Sequence, residues 1–196
     1  MVPGQVLGGI TATLGSLLLG AVDSSGVEWT IGALDGWDSP DVRSSYSDRE
    51  ADHGSWAGPT WLGSRPITLT GTITAPDGPS LDVAMEQLAA AVSFTDTVLV
   101  VNESIPKQAT VRRSGKLIMQ RVTDRIATYS ALVTAADPRR YAATQSTGST
   151  ALPSTSGGLA FPATFPVTFS ATTVNGSIAA ANAGSLETRP VLTITG

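Results

Sequence analysis

The sequence predicts a mainly β protein: an antiparallel β-barrel or sandwich with one α-helix over residues 1–142, then a β-rich C-terminal extension. Three observations predict it. Six segments before residue 142 alternate apolar and polar residues or run apolar over a strand's length, and only one segment has a helical period. Twenty glycines and twelve prolines in 196 residues supply the turns that many short strands need. An apolar share of 41% can fill a core, while the charged share of 14% is well below the ~25% usual for soluble domains.

The first charge is Asp23, so residues 1–22 are tested first as a targeting segment. No Lys or Arg precedes Arg43, and Pro3, Gln5, Gly8, Gly9, Thr11, Thr13, Gly15 and Ser16 interrupt the apolar run. A signal peptide needs a basic start and a membrane span needs about 20 apolar residues, so neither is expected. The stretch reads instead as two strands, Gln5–Thr13 and Ser16–Val22, turning at Leu14-Gly15-Ser16. Val27–Leu34 alternates Val27, Trp29, Ile31 and Ala33 with polar positions, as a half-buried strand does. Residues 35–64 then form an arm with no sustained apolar pattern, yet with Trp37, Trp56 and Trp61 in it. Disordered linkers are poor in aromatics, so the arm is expected to be ordered by something, a second chain among the candidates.

Arg65–Ala75 is the clearest strand, with Ile67, Leu69, Gly71 and Ile73 alternating with four threonines. Pro76–Pro79 is a turn, and Ser80 is expected to cap a helix from Leu81 to about Ser93. That helix carries its apolar stripe on Leu81, Ala84, Met85, Leu88, Ala91 and Val92, with Asp82 complementing the dipole. Thr97–Val101 reads as a buried strand. Ala109–Arg113 and Lys116–Val122 read as a hairpin about Ser114-Gly115, and Ile126–Ala136, apolar on both parities, as a strand covered on two faces. Residues 143–158 are rich in Ser, Thr and Gly, the composition of a linker. Short strands are expected at Phe161–Phe169, Thr173–Ala179 and Pro190–Thr195, in a segment 159–196 too small to fold comfortably alone.

Charge is segregated along the chain. Residues 1–103 hold thirteen acids against three bases, and residues 104–140 hold eight bases against Asp124 and Asp137. A net charge of −4 argues against nucleic acid as the main partner, and Tyr129 is too little for a base-stacking platform among the bases. The segregation suggests an acidic side of one copy meeting a basic side of the next, against the plainer reading of solvated strand faces.

The chain carries little that points to catalysis. No cysteine excludes a thiol nucleophile or thiolate metal site, and the lone His53 excludes a multi-histidine centre. His53 sits beside Asp52 in a polar stretch without a G-x-S-x-G turn and reads as a surface histidine. Asp35, Asp38 and Asp41 do not follow the spacing of a calcium loop. No phosphate-cradling glycine motif occurs. Neither an enzyme nor a cofactor or metal is expected.

Two stretches resemble one family. GSWAGPTWLGSRPITLTGTITAPDG, Gly54–Gly78, resembles the arm, Arg-led strand and turn of phage distal tail proteins, and ALVTAADPRRYA, Ala131–Ala142, resembles the strand and D-P-R-x-Y segment that close their N-terminal domain. A further likeness, NAGSLETRPVLTITG from Asn182 to Gly196, resembles the strand entry of that family's galectin-like or carbohydrate-module-like second domain. The resemblance implies a minor tail protein with a tail-tube-like fold. Copies would form a ring, hexameric in the family, at the distal end of a long non-contractile tail. The ring would join the tail-tube protein to the tip or baseplate hub, with the tape measure protein in its channel and genomic DNA passing through without specific binding. It also implies a place at the virion's tail tip after assembly in the host cytoplasm, with no membrane insertion. Residues 159–196 would be an extension or the opening of a second domain, which needs roughly another hundred residues. The subunit contact is expected to use Trp37, Trp56 and Trp61 of the arm against Arg112, Arg113, Arg121 and Arg125 of the basic strands. The alternatives are a carbohydrate-binding β-sandwich module, which needs an exposed aromatic platform, and a β-rich hydrolase, which needs a pocket with a perturbed acid pair.

Overall fold

Threonine-rich alternation produces the central strand pair of the computed structural model, which describes residues 9–150, 154–156, 172–174 and 176–194, with 162, 164 and 166. The chain divides into two units, Met1–Thr144 and Gln145–Gly196. In chain order the first unit runs β1 (Thr11–Leu14), β2 (Leu17–Leu19), β3 (Glu28–Asp35), β4 (Val42–Arg43), β5 (Tyr46–Asp48), β6 (Ser55–Ala57), β7 (Trp61–Leu62) and β8 (Arg65–Thr74). It continues with α1 (Gly78–Ala91), β9 (Thr97–Asn102), β10 (Lys107–Arg113), β11 (Ile118–Arg121), β12 (Ile126–Ala135) and β13 (Tyr141–Ala142). The described part of the second unit holds one antiparallel pair, β14 (Ser154–Ser156) with β15 (Thr172–Val174).

The main sheet is antiparallel, in the order β2-β1-β9-β10-β12-β8-β3. Strands β8 and β12 pair over ten residues, from Arg65 opposite Ala135 to Thr74 opposite Ile126. Their inward positions (Ile67, Leu69 and Ile73 on β8; Ala127, Tyr129, Ala131, Val133 and Ala135 on β12) are buried. Opposite parities are mostly half-buried, so β12 has one fully covered face rather than the two its composition suggested. Thr97–Val101 is likewise one-sided, with Leu99 and Val101 inside and Val98 exposed.

The path's two ends meet. Gly20 N–H donates to the Trp29 carbonyl at 2.8 Å, Trp29 N–H returns to the Ala21 carbonyl at 2.9 Å, and Val22 bridges Glu28, so the sheet curls back on itself. The seam's turn is held by the Asp23 carboxylate, which accepts from the Ser25 amide and hydroxyl, the Val27 amide and the Trp29 indole. The first strand therefore starts at Thr11 and the second ends at Leu19, both shorter than the sequence suggests; residues 5–8 of the first lie outside the described residues.

Two local expectations are corrected. Ser114-Gly115 does not turn a hairpin: Arg113 lies opposite Val133 and Ile118 opposite Ser130, both antiparallel to β12, so β10 and β11 run in one direction along it. The four residues between them face two, which is a bulge, and the reversal comes at Val122–Ile126, where the Val122 amide donates to the Ile126 carbonyl. The helix begins at Gly78 and its cap is Asp77, whose carboxylate accepts the Ser80 amide at 2.8 Å. Pro79 in the first turn leaves that amide as the donor needing a partner. Asp82 thus falls beyond the first turn, where it pairs with Arg121 instead of the dipole. The stripe is as expected: Leu81, Ala84 and Leu88 are buried and Met85 packs beside them.

In the second unit, β14 falls inside the stretch read as linker. Of Thr173–Ala179, residues 173 and 174 lie in β15 while 176–179 carry no strand, and neither do residues 190–194. Most of Phe161–Phe169 lies outside the described residues.

One side chain ties three strands. Tyr129 on β12 faces Gly71 on β8, and its hydroxyl reaches over that glycine to donate to the Thr30 carbonyl on β3 at 2.9 Å. A Cβ at position 71 would overlap both the Thr30 carbonyl and the Tyr129 ring. Strand β3 bulges between Ile31 and Ala33 beside this point. Tyr129→Phe, which strands the Thr30 carbonyl, is expected to cost about 1–3 kcal/mol in denaturant unfolding. Gly71→Ala is expected to cost more, because backbone must move; a smaller loss for Gly71→Ala would mean the close approach is not binding.

Candidate functional site

The arm is a β-ribbon. Strands β4 and β7 pair, and inside them β5 and β6 pair, so Val42 faces Leu62, Arg43 faces Trp61 and Ser47 faces Trp56. The rungs extend to both ends: Gly63 N–H donates to the Asp41 carbonyl at 2.7 Å, Gly58 N–H to Ser45 at 2.8 Å, and Arg49 N–H to Gly54 at 3.2 Å. Backbone pairing within the chain therefore orders a segment too poor in aliphatics for a core. Residues 41–57 and 59–62 are all exposed. The ribbon thus presents Trp56 (66% exposed), Trp61 (65%), Tyr46 (69%) and Val42 to solvent. Single exposed apolar residues are ordinary, whereas here three large aromatics are exposed on one two-stranded hairpin. Trp56 is partly covered by its own strand partner's neighbour, with the Arg49 guanidinium 4.6 Å from its ring and 3.4 Å from Asp52. His53 sits exposed at the tip.

Trp37 does not belong to that surface. It is 3% exposed and packs in the core, because its indole N–H has a carboxylate to reach: Nε1 donates to Glu103 Oε1. Glu103 also accepts Lys107 Nζ at 2.7 Å and lies 3.8 Å from Arg140, whose guanidinium is 5.5 Å from the Trp37 ring. Burial opposes ionisation of Glu103, but the hydrogen bonds from Lys107 and Trp37 and the charges of Lys107 and Arg140 outweigh it, holding its pKa below the usual 4.5.

The ribbon's other leg is held by Arg65, the one buried charged residue among the described residues at 3% exposure. Its Nε donates to the Pro138 carbonyl at 2.9 Å, and one terminal nitrogen donates to the carbonyls of Gly36 (3.1 Å) and Trp37 (2.6 Å). Gly36 adopts φ +83° and a Cβ there would overlap the Pro66 carbonyl, so the chain can turn into Trp37 only through glycine. Burial lowers the Arg65 pKa, Arg140 lowers it further, and Asp38 offsets part of that.

The basic strands are less basic in space than along the chain. Arg112 donates twice to Asp96 (3.0 and 2.8 Å), Arg121 pairs with Asp82, and Arg139 lies 3.7 Å from Asp137. Arg113 stacks 4.9 Å over Phe94 and donates to the Gly115 carbonyl, while Arg125 contributes to lowering the pKa of Asp77 behind the hydrogen bonds from Ser80. Among the described residues, none of Arg112, Arg113, Arg121 and Arg125 forms an ion pair with an acid of the arm 35–64. Among the described residues no group of three His, Asp or Glu is placed to hold a metal.

No family model matches this sequence, and no curated protein does. A solved structure does share its fold. The fold resembles that of SPP1 Dit. That crystal structure is described as a paradigm of the hub adsorption apparatus in phages that infect Gram-positive bacteria. The superposition has a TM-score of 0.52 and 12% identity, and covers 68% of this chain and 52% of SPP1 Dit. The likeness to SPP1 Dit is one of fold, and this chain spans about half that protein's length.

Sequence reasoning missed Arg65 and Glu103 as anchors and Tyr46 as part of the exposed surface. Arg65→Lys is expected to lose about 2–3 kcal/mol, since an ammonium on a flexible stem cannot reproduce a fork shared by three carbonyls. Because the Glu103 pKa is lowered on folding, its stabilisation is full above the unfolded value and disappears as pH falls through the folded one. The stability gap between wild type and Glu103→Gln should therefore be widest near neutral pH and close as the pH falls through the lowered folded value; a gap that persists in strong acid would show that shape, not charge, carries the contact.

Proposed function

We propose that this chain is a structural protein of a phage tail whose copies close a ring, hexameric, at the distal end of a long non-contractile tail. The ring joins the tail-tube protein to the tip or baseplate hub, with the tape measure protein in its channel and genomic DNA passing through unread. The chain acts at the virion's tail tip after assembly in the host cytoplasm, and is not an enzyme. The observation that carries this reading is the shared fold with SPP1 Dit, a hub adsorption protein. Residues 1–142 are the ring-forming part, and residues 143–158 join it in sequence to the segment 159–196.

The exposed ribbon is the clasp between copies. It reaches outward with aromatic side chains that its own barrel leaves uncovered, and a heterologous contact of that kind repeats around a closed ring. Arg112, Arg113, Arg121 and Arg125 of the neighbour are the receiving surface. Since Arg112 and Arg121 already hold acids of their own chain, aromatic burial rather than charge supplies the affinity.

The test is mass in solution. Native mass spectrometry or sedimentation of the wild type is expected to give six times the 20.1 kDa chain mass. Trp56→Ala with Trp61→Ala should cost ~2–4 kcal/mol per contact and yield monomers with an unchanged melting temperature. A wild type that stays monomeric at high concentration overturns the ring; a double variant that keeps its mass overturns the ribbon as clasp.

A further inference from the structure

The ribbon and the segment 137–143 are far apart in sequence but are fastened by the same groups. Arg65 donates to Gly36 and Trp37 at the ribbon's root and to Pro138 in the other segment. Glu103 accepts Trp37 and faces Arg140, and Arg140 in turn covers the Trp37 ring. Beyond this clasp each segment has few attachments. The ribbon is solvent-exposed along its length, and 137–143 is held by a two-residue ladder of β13 on β10 and by the Ala143 amide donating to the Pro106 carbonyl at 2.9 Å.

We propose that the ribbon and residues 137–143 form one cooperative latch, which opens as a unit through the Arg65–Glu103–Trp37–Arg140 clasp while β8 and β12 stay paired. The reason is shared satisfaction. If either segment leaves, Arg65 keeps its charge at a buried position with part of its donors unpaired, and a buried polar group without a partner is costly. The remaining segment then loses the reason to stay. The clasp also sits at the end of the central ladder, where Arg65 opposite Ala135 is the last pair, so it can open without breaking the register behind it. The latch matters for function because residues 137–143 lead, in sequence, into the second unit: whatever engages one segment sets the freedom of the other. The proposal concerns the folded chain alone and stands whether or not copies assemble.

Reciprocity gives the test, read by hydrogen exchange with mass spectrometry on the full chain. Ala143→Pro removes the amide that donates to Pro106 and touches neither the ribbon nor the clasp. It should speed exchange of the ribbon amides of Gly58 and Gly63 roughly fivefold or more, the low end of ordinary coupling between sites. Gly63→Pro removes the rung at the ribbon's base, to Asp41, and should speed exchange at residues 141–143 by a similar factor. Amides of β8 and β12 should be unchanged in both. If each substitution loosens only its own segment, the latch is overturned; if β8 and β12 loosen equally, the clasp is ordinary core and the proposal is overturned as well. A chain that never forms a ring gives the same answer.

Discussion

Arg65 is the point on which the molecule's organisation turns. A guanidinium at 3% exposure with no carboxylate in contact is held by the carbonyls of Gly36, Trp37 and Pro138, with the charge of Asp38 acting from further away. Those three carbonyls come from the start of the ribbon and from the segment after β12, and Arg65 itself stands at the ribbon's end. One side chain therefore defines where the ribbon leaves the main sheet, where it returns, and where the sheet's last long strand is tied off. A hydrophobic residue at this position would take the guanidinium donors away from all three acceptors.

The rest of the unit follows the same economy of shared acceptors. Tyr129 ties three adjacent strands through one hydroxyl, and Asp23 collects four donors at the seam where the sheet meets itself. Among the described residues no buried side-chain polar atom lacks a partner. Charge follows suit: the acids of the first half and the bases of the second, separated in sequence, meet within the chain as Asp82 with Arg121, Asp96 with Arg112, and Glu103 with Lys107. Segregation along the chain thus reflects ion pairing inside one copy as much as it suggests attraction between copies.

Much of this could be read in the sequence, for physical reasons that are specific to each element. Period-two alternation identified β3 and β8, and the three-and-four spacing identified the buried face of α1. Boundaries and pairings were harder. Ser114-Gly115 has turn composition, but composition does not distinguish a reversal from a bulge, and only the register against β12 decides it. The ribbon was invisible because its strands are two or three residues long and bury nothing, so no periodicity arises. Trp37 and Trp56 look alike in sequence; what separates them is Glu103, sixty-six residues away from the first. Arg65 did carry a signal. It shares parity with Ile67, Leu69 and Ile73, which places it inward, and an arginine at an inward position needs a set of acceptors.

The nested ladders of the ribbon make it a part whose length is adjustable. Its two legs are already joined at the base by the rung between Gly63 and Asp41, so residues added at the Asp52–Gly54 tip enlarge a loop that is closed beneath them. The entropy of such growth rises only with the logarithm of loop length, about 0.6 kcal/mol per doubling. Lengthening both legs equally carries the aromatics outward with their pairing intact, whereas adding a single residue to one leg turns the side chains beyond it to the opposite face. The main sheet thus works as a socket for a graduated rod: the reach of the ribbon can be reset by paired insertions and its facing reversed by a single one, with the core left untouched.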